Sequence, residues 1–302
     1  MTQAVAIVGA GRMGRAHAAA WAANDVPVLY AVSPRRRPDL PEAPDARWAT
    51  RLEETLDDPA VTIVSVCTPT PSHADLAIQA LEAGRHVLLE KPIALTVEDA
   101  ERVEAAAGRA RGTLMVAHVV RFFPGYAALA ERVAAGAVGR PRVVRASRIS
   151  AAPVGYDWLE DESRSGGMLV DFAIHDIDQA SDYLGRAVAV TSIPSAGAGF
   201  GVPVATTIEY EGGGVAQVLS VSDLPEGRPF RTTFEVVGDA GVDVAGPEAG
   251  DAFAAQARYF LDCVTAGVPT TRAPVSSAVE ALRVAVAARE SARTGRRILL
   301  PR

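Results

Sequence analysis

Residues 5–21 read VAIVGAGRMGRAHAAAW, and this stretch restricts the fold more than any other. Val5 to Val8 is a short apolar run that ends on glycine, the pattern of a buried parallel strand. From Arg12 to Ala23 the chain is alanine-rich and helical in character. Between them Gly9, Gly11 and Gly14 form G-x-G-x-x-G. In a strand–turn–helix setting the first glycine permits a tight turn and the second lets backbone approach a pyrophosphate. The third lets the helix pack closely on the sheet. The start of the helix adds free N–H groups and the positive end of its dipole. Dinucleotide binding uses all three glycines; the alternative is three incidental packing glycines. Arg12 and Met13, between the second and third glycines, join them as candidate cofactor-lining residues.

Strand and helix patterns go on alternating through the first third of the chain. Val26–Val32, VTIVSVC (61–67), HVLLE (86–90) and TLMVAHVV (113–120) read as strands. Helices are expected at 51–59, at 71–84 with Ser72 as N-cap, and at 96–111 with Thr96 as cap. Such alternation predicts an α/β fold with a doubly wound parallel sheet and helices on both faces. After about residue 120 the pattern changes to a helix (124–135), a strand (141–150) and one long helix over roughly 167–184. Strand-like runs in series, joined by turns such as Gly212-Gly213-Gly214, then predict an antiparallel sheet, and two helices (251–266 and 275–293) close the chain. Two domains are expected, 1–120 and 121–302.

The 302 residues are 49% hydrophobic, enough for sizeable cores. A net charge of -6 lacks the basic footprint of a nucleic-acid binder. No uncharged apolar run reaches membrane-spanning length, and the N-terminus has no signal-peptide pattern. Cys67 and Cys263 stand far apart, which fits a reducing compartment better than a disulfide scaffold or a cysteine zinc site. A soluble cytoplasmic protein is the expectation.

The second strand runs VPVLYAVSPRRR, and the acidic residue that would bind a ribose 2′-hydroxyl is missing. Ser33 stands there, followed by Arg35 and Arg36. A hydroxyl and guanidinium groups suit a 2′-phosphate, which a carboxylate would repel. NADP(H) is therefore favoured over NAD(H), with a solvated basic loop as the competing reading. Ligands of open α/β sheets bind beyond the carboxyl ends of strands. Thr68, Pro69 and His73 of CTPTPSH and Glu90 and Lys91 of LLEKP occupy such ends. Lys91 alone reads as an ordinary turn lysine. The Lys91–Pro92 bond is a candidate for a cis peptide.

In SGGMLVDFAIHDIDQASDYLG (165–185), Asp171, His175 and Asp178 are spaced by four and three residues. On one helix they share a face. A carboxylate and an imidazole one turn apart can form an acid–base pair. A hydrogen-bonded helix face is one alternative; a metal site is another, though no further ligands announce themselves.

The order GxGxxG, TPTPSH, EKP and GGMLVDFAIHDID resembles the Gfo/Idh/MocA oxidoreductases over nearly the whole chain, most clearly over residues 1–185. The resemblance implies a Rossmann domain followed by an α+β domain with a large, mostly antiparallel sheet. It also implies hydride transfer between NAD(P) and a secondary alcohol or ketone of a sugar or inositol-like cyclitol. By the same resemblance Lys91, Asp171 and His175 form the catalytic group; no metal is expected, because no further ligands accompany Asp171, His175 and Asp178. Asp178 and Arg121 of VVRFFPGY are implied to touch substrate, and a homodimer or homotetramer is implied to form through the C-terminal sheet. Ser33 departs from the family's usual carboxylate. A nucleotide-sensing protein of the same fold, performing no chemistry, is the alternative.

Overall fold

The computed structural model describes residues 3–34, 40–155, 157–197, 199–246 and 249–301. Six short strands build a parallel sheet: β1 (Val5–Val8), β2 (Val28–Val32), β3 (Arg47–Ala49), β4 (Ile63–Val66), β5 (His86–Glu90) and β6 (Leu114–Ala117). Strands β1, β4 and β6 are buried at every position, so they do not alternate; β1 and β6 are wholly apolar, and β4 is apolar but for the buried Ser65. The spatial order is β3-β2-β1-β4-β5-β6. The chain moves outward from β1 to β3, then crosses back to lay β4 on the other side of β1. That reversal opens a crevice at the carboxyl ends of β1 and β4.

Four helices follow these strands: α1 (Arg12–Ala22), α2 (Glu53–Leu56), α3 (His73–Glu82) and α4 (Val97–Arg109). Helix α1 packs on β1, β2 and β4. Ser72 ends a 3₁₀ turn, Thr70–Ser72, and stands at the N-cap position of α3 as expected, but its side chain makes no capping hydrogen bond. Its hydroxyl instead bonds the Thr68 hydroxyl at 2.8 Å and the Pro69 carbonyl at 3.0 Å, closing the turn after β4 on itself. The Lys91–Pro92 peptide is cis.

Contacts divide the chain into two compact units. One comprises Met1–Ala94, Glu98–Phe122 and Asp251–Ala278; the other comprises Leu95–Val97, Phe123–Gly250 and Val279–Arg302. A single cut near residue 120 does not describe this arrangement, because residues 251–278 return to the parallel-sheet unit.

The second unit begins with α5 (Pro124–Ala134) and the long strand β7 (Pro141–Ala151), followed by α6 (Asp157–Glu160), α7 (Glu162–Ser165), α8 (Gly167–Asp171) and α9 (Ile174–Leu184). Strands β8 (Ala187–Pro194), β9 (Val204–Tyr210), β10 (Val215–Leu224), β11 (Arg231–Gly238), β12 (Val242–Val244) and β13 (Ile298–Leu299) complete a seven-stranded sheet. Its order is β12-β11-β7-β10-β9-β8-β13, antiparallel throughout except for β7 beside β10. Alternation gives the sheet two unlike faces. In β10, Ala216, Val218, Ser220 and Ser222 are buried while Gln217 and Leu219 are exposed. Helix α9 packs against β7 and β10. The last two helices are α10 (Ala252–Ala266) and α11 (Val275–Thr294). Helix α10 packs on α1 of the first unit, with the rings of Trp21 and Phe260 6.5 Å apart.

One long helix over 167–184 was expected, and the structure breaks it between Asp171 and Ile174. The N–H groups of Phe172 and Ala173 both donate to the Met168 carbonyl, at 3.0 Å each. Two amides on one acceptor widen the turn by a residue and restart the ladder from Ala173. Phe172, at the break, sets its ring 5.8 Å from the Arg148 guanidinium. Arg148, on the covered face of β7, grips Asp176 of α9 with two hydrogen bonds of 3.0 and 2.9 Å. Both side chains are almost fully buried, at 3% and 0% exposure. Removing one member of such a pair strands the other charge in the interior. Asp176→Asn is therefore expected to destabilise the protein by about 3–5 kcal/mol, read from urea midpoints.

Candidate active site

The glycine turn between β1 and α1 is a cradle fixed by backbone contact. Gly9 has φ +89°, and a Cβ there would come within 2.7 Å of the Cys67 carbonyl and the Thr68 nitrogen. A Cβ on Gly14 would come within 2.2 Å of the Gly9 carbonyl oxygen. Gly11 is the opposite case: a Cβ there meets nothing within 4 Å. The outer two glycines hold the turn together and the middle one leaves its backbone open to an incoming group. Gly11 is also the N-cap of α1, with no side-chain cap and no acidic residue in the first turn. Open amides at the positive end of an eleven-residue helix suit a pyrophosphate, so the residues present fit a dinucleotide. Arg12 is exposed and Met13 half-buried beside it.

The neighbouring strand ends carry the other candidates of this unit. Ser33 follows β2; its N–H donates to the Ala49 carbonyl at 3.0 Å, and its carbonyl accepts from the Trp48 indole at 3.0 Å. Arg35 and Arg36 lie outside the described residues. Thr68 is half-buried and Pro69 exposed after β4. His73 is buried; its Nε2 faces the Thr68 carbonyl and its Nδ1 the Pro92 carbonyl, both at 2.8 Å. The ring thus joins the turns after β4 and β5, with neither nitrogen left for a cofactor. Only an imidazolium donates to both carbonyls, whereas burial, the largest influence, lowers the His73 pKa.

Glu90, at the end of β5, is 4% exposed. Its Oε1 accepts a 2.8 Å hydrogen bond from His17 Nε2 of α1. Burial alone would raise the Glu90 pKa; the hydrogen bond and charge of His17, with help from Lys91 and His73, hold it below the ordinary carboxylate value. Burial alone would lower the His17 pKa, but Cys67 and Glu90 outweigh it and push it up to about 10. Burial also pushes the Cys67 thiol up, so Cys67 stays neutral near pH 7 and Glu90 is the charge that sustains the imidazolium there. Lys91 follows, half-buried. It is the only lysine in the chain: of 30 Lys and Arg residues the rest are arginine. That count, visible in the sequence, sets position 91 apart from every arginine. An ammonium is a compact point charge on a flexible stem, which a planar guanidinium does not replace. Arg121 lies after β6 in a 3₁₀ turn, Val119–Phe122; it is 6% exposed and donates to the Arg272 carbonyl at 2.8 Å.

In the second unit Asp171 ends α8 and His175 sits in the first turn of α9, both half-buried. The four-residue spacing straddles the break, so helical periodicity relates only His175 and Asp178 to one face. Asp178 is 1% exposed. Among the described residues no cluster of three His, Cys, Asp or Glu side chains is arranged to hold a metal ion. His17 was missed altogether. A lone polar ring in the alanine-rich run of α1 was its one sequence signal.

A glycine-cradled helix N-terminus at the reversal of a 3-2-1-4-5-6 parallel sheet defines the dinucleotide-binding class of α/β proteins. Residues 3–118 match the model of an oxidoreductase family with an NAD-binding Rossmann fold, and residues 126–242 match the C-terminal domain model of the same family. The chain belongs to the Gfo/Idh/MocA oxidoreductases. It is 32% identical over 188 residues to myo-inositol 2-dehydrogenase of Thermotoga maritima, spanning 61% of this chain and 55% of that one. Against the NAD(+)-dependent scyllo-inositol 2-dehydrogenase of Bacillus subtilis the identity is 27%, spanning 96% and 94%. The structure of GenD2 from gentamicin A biosynthesis, in complex with NAD, superposes with a TM-score of 0.87 at 26% identity, covering 99% of this chain and 97% of that one.

Two measurements check the site's geometry. Gly14→Ala meets backbone and is expected to cost about 1–3 kcal/mol of stability, whereas Gly11→Ala loses only the N-cap preference for glycine and is expected to cost less than about 1 kcal/mol while weakening cofactor binding in a fluorescence titration. The His17 pKa is 6.5 when free and about 10 in the fold, so its contribution to stability is complete below pH 6.5 and is lost as pH rises through about 10. Urea midpoints of His17→Gln are expected to lack this alkaline decline.

Proposed function

We propose that the protein transfers a hydride between a nicotinamide cofactor and a secondary alcohol or ketone of a sugar or inositol-like cyclitol. The observation that carries this reading is the single lysine of the chain, at a strand's carboxyl end in the glycine-cradled unit. The relatives that act on inositols support the substrate class. Bound nicotinamide supplies the hydride acceptor or donor. Hydride cannot leave a carbinol carbon while its hydroxyl keeps its proton, so a base is needed. His175 takes that proton, and Asp171 orients the ring and stabilises its imidazolium. Lys91 hydrogen-bonds the substrate oxygen and stabilises developing alkoxide charge. Asp178 and Arg121 contribute to holding the polyol. The cofactor is received by Gly9, Gly11, Arg12, Met13, Gly14, Ser33, Thr68 and Pro69, with His73 and Glu90 acting through the turns they fix.

NADP(H) is the favoured cofactor, on the strength of Ser33 followed by Arg35 and Arg36 in place of a carboxylate. The open face of the second-unit sheet, with Gln217 and Leu219 exposed, supports assembly into a homodimer or homotetramer. The buried thiols of Cys67 and Cys263 support a cytoplasmic setting; among the described residues no helix is long and apolar enough to cross a membrane.

The test is a panel of polyols assayed with NAD⁺ and with NADP⁺ by absorbance of the reduced nicotinamide. Turnover is expected, faster with NADP⁺, and Arg35→Ala with Arg36→Ala is expected to move the preference toward NAD⁺. Lys91→Ala and His175→Ala are each expected to lower kcat by about 10²–10⁴-fold while cofactor still binds. Tight cofactor binding with no turnover on any polyol would instead indicate a nucleotide sensor.

A further inference from the structure

A buried polar cluster lies behind the Lys91 turn, and of its members only Glu90 enters the reading above. His17 and Trp21 reach it from α1, Ser65 from β4 and Glu90 from β5. His17 Nε2 donates to Glu90 Oε1 at 2.8 Å, His17 Nδ1 faces Ser65 Oγ at 3.3 Å, and Trp21 Nε1 donates to Ser65 Oγ at 2.9 Å. All four residues are at most 4% exposed. An indole N–H can only donate, so Trp21 fixes the Ser65 oxygen as an acceptor, and Ser65 in turn sets the plane of the His17 ring.

Stability alone does not account for this arrangement. A buried ion pair carries a desolvation cost that apolar side chains of similar volume avoid. What the cluster achieves is geometric. Helix α1 carries the cofactor cradle at its N-terminus, and Glu90 is bonded directly to Lys91 in the chain. We propose that His17 is a positioning residue for Lys91. By holding the Glu90 carboxylate it fixes the Lys91 backbone and the direction of its ammonium relative to the helix that seats the cofactor. This role rests on the reading of Lys91 as the group that meets the substrate oxygen.

Because Lys91 is the only lysine, selective ¹³C labelling of lysine gives one ε-methylene resonance. That resonance reports the side chain whether or not any substrate turns over. His17→Gln keeps a donor toward Glu90 and is expected to retain a sharp resonance near the wild-type position and a kcat within a few-fold. His17→Leu removes the donor; it is expected to shift or broaden the resonance and to lower kcat by about 10²-fold, with cofactor Kd within a few-fold. If His17→Leu does not fold, Ser65→Ala, which frees the ring plane, is expected to displace the resonance the same way with a smaller loss of kcat. A folded His17→Leu, or Ser65→Ala in its place, with the wild-type resonance overturns the proposal. So does parallel loss of kcat and cofactor affinity with the resonance unmoved. Wild-type protein that turns over no polyol sinks the oxidoreductase reading instead, and the resonance still decides the position of Lys91.

Discussion

The contact that the first unit depends on is a backbone-to-backbone approach that only glycine allows. Gly14 of α1 lies against the Gly9 carbonyl, and Gly9 lies against the peptide that joins Cys67 to Thr68. These two contacts lock three things at once: the entry angle of α1, the turn after β1 and the turn after β4. With any larger residue, α1 would stand off from the sheet, and its open N-terminus would no longer sit at the reversal of strand order. The crevice, the helix end and the exposed Gly11 are thus consequences of one packing constraint. The side chains that then matter are those whose strands end at the same edge, which is why Thr68, Glu90 and Lys91 fall in reach of one another's turns.

Charge type is the second constraint. Outside position 91 every basic side chain is arginine, whose planar fork suits the bidentate surface pairs seen between Arg132 and Asp243 and between Arg297 and Glu209. Such forks bind planar carboxylates well and serve poorly as a compact charge beside a single oxygen. A chain so committed to arginine that keeps one lysine, next to a buried carboxylate, separates that position from the ordinary surface cations.

Period and punctuation made most of this legible in the sequence. An unbroken apolar run marked β1 and a β-branched run marked β4 as strands of the parallel sheet, and alternation in β10 marked a sheet with one face covered. The return of α10 to the first unit was not legible, because an amphipathic helix shows that it buries a face without showing against what. The parallel pairing of β7 with β10 was hidden for a similar reason: alternation tells which side chains go in and not which strand lies alongside. No proline marks the break at Phe172 and Ala173, which arises from two amides sharing the Met168 carbonyl. The role of His17 could not be read locally, since its partner Glu90 is 73 residues away.

The two units, taken separately, each carry a buried ion pair beside a half-buried polar side chain. In the first, the buried pair His17–Glu90 ends one residue before Lys91. In the second, the buried pair Arg148–Asp176 ends one residue after His175. A pair of this kind contributes little net stability compared with apolar packing, but it has one favourable geometry and a steep cost for leaving it. Arg148 adds to that stiffness, because its guanidinium also lies over the Phe172 and Phe230 rings, at 5.8 and 5.7 Å. Lys91 and His175 are half-buried, so neither is held by burial of its own side chain alone. Rigidity has to come from the residue beside each in the chain. Placing the ion pair on that neighbour, inside the core, fixes the backbone beneath Lys91 and beneath His175 while both of those side chains stay half-buried.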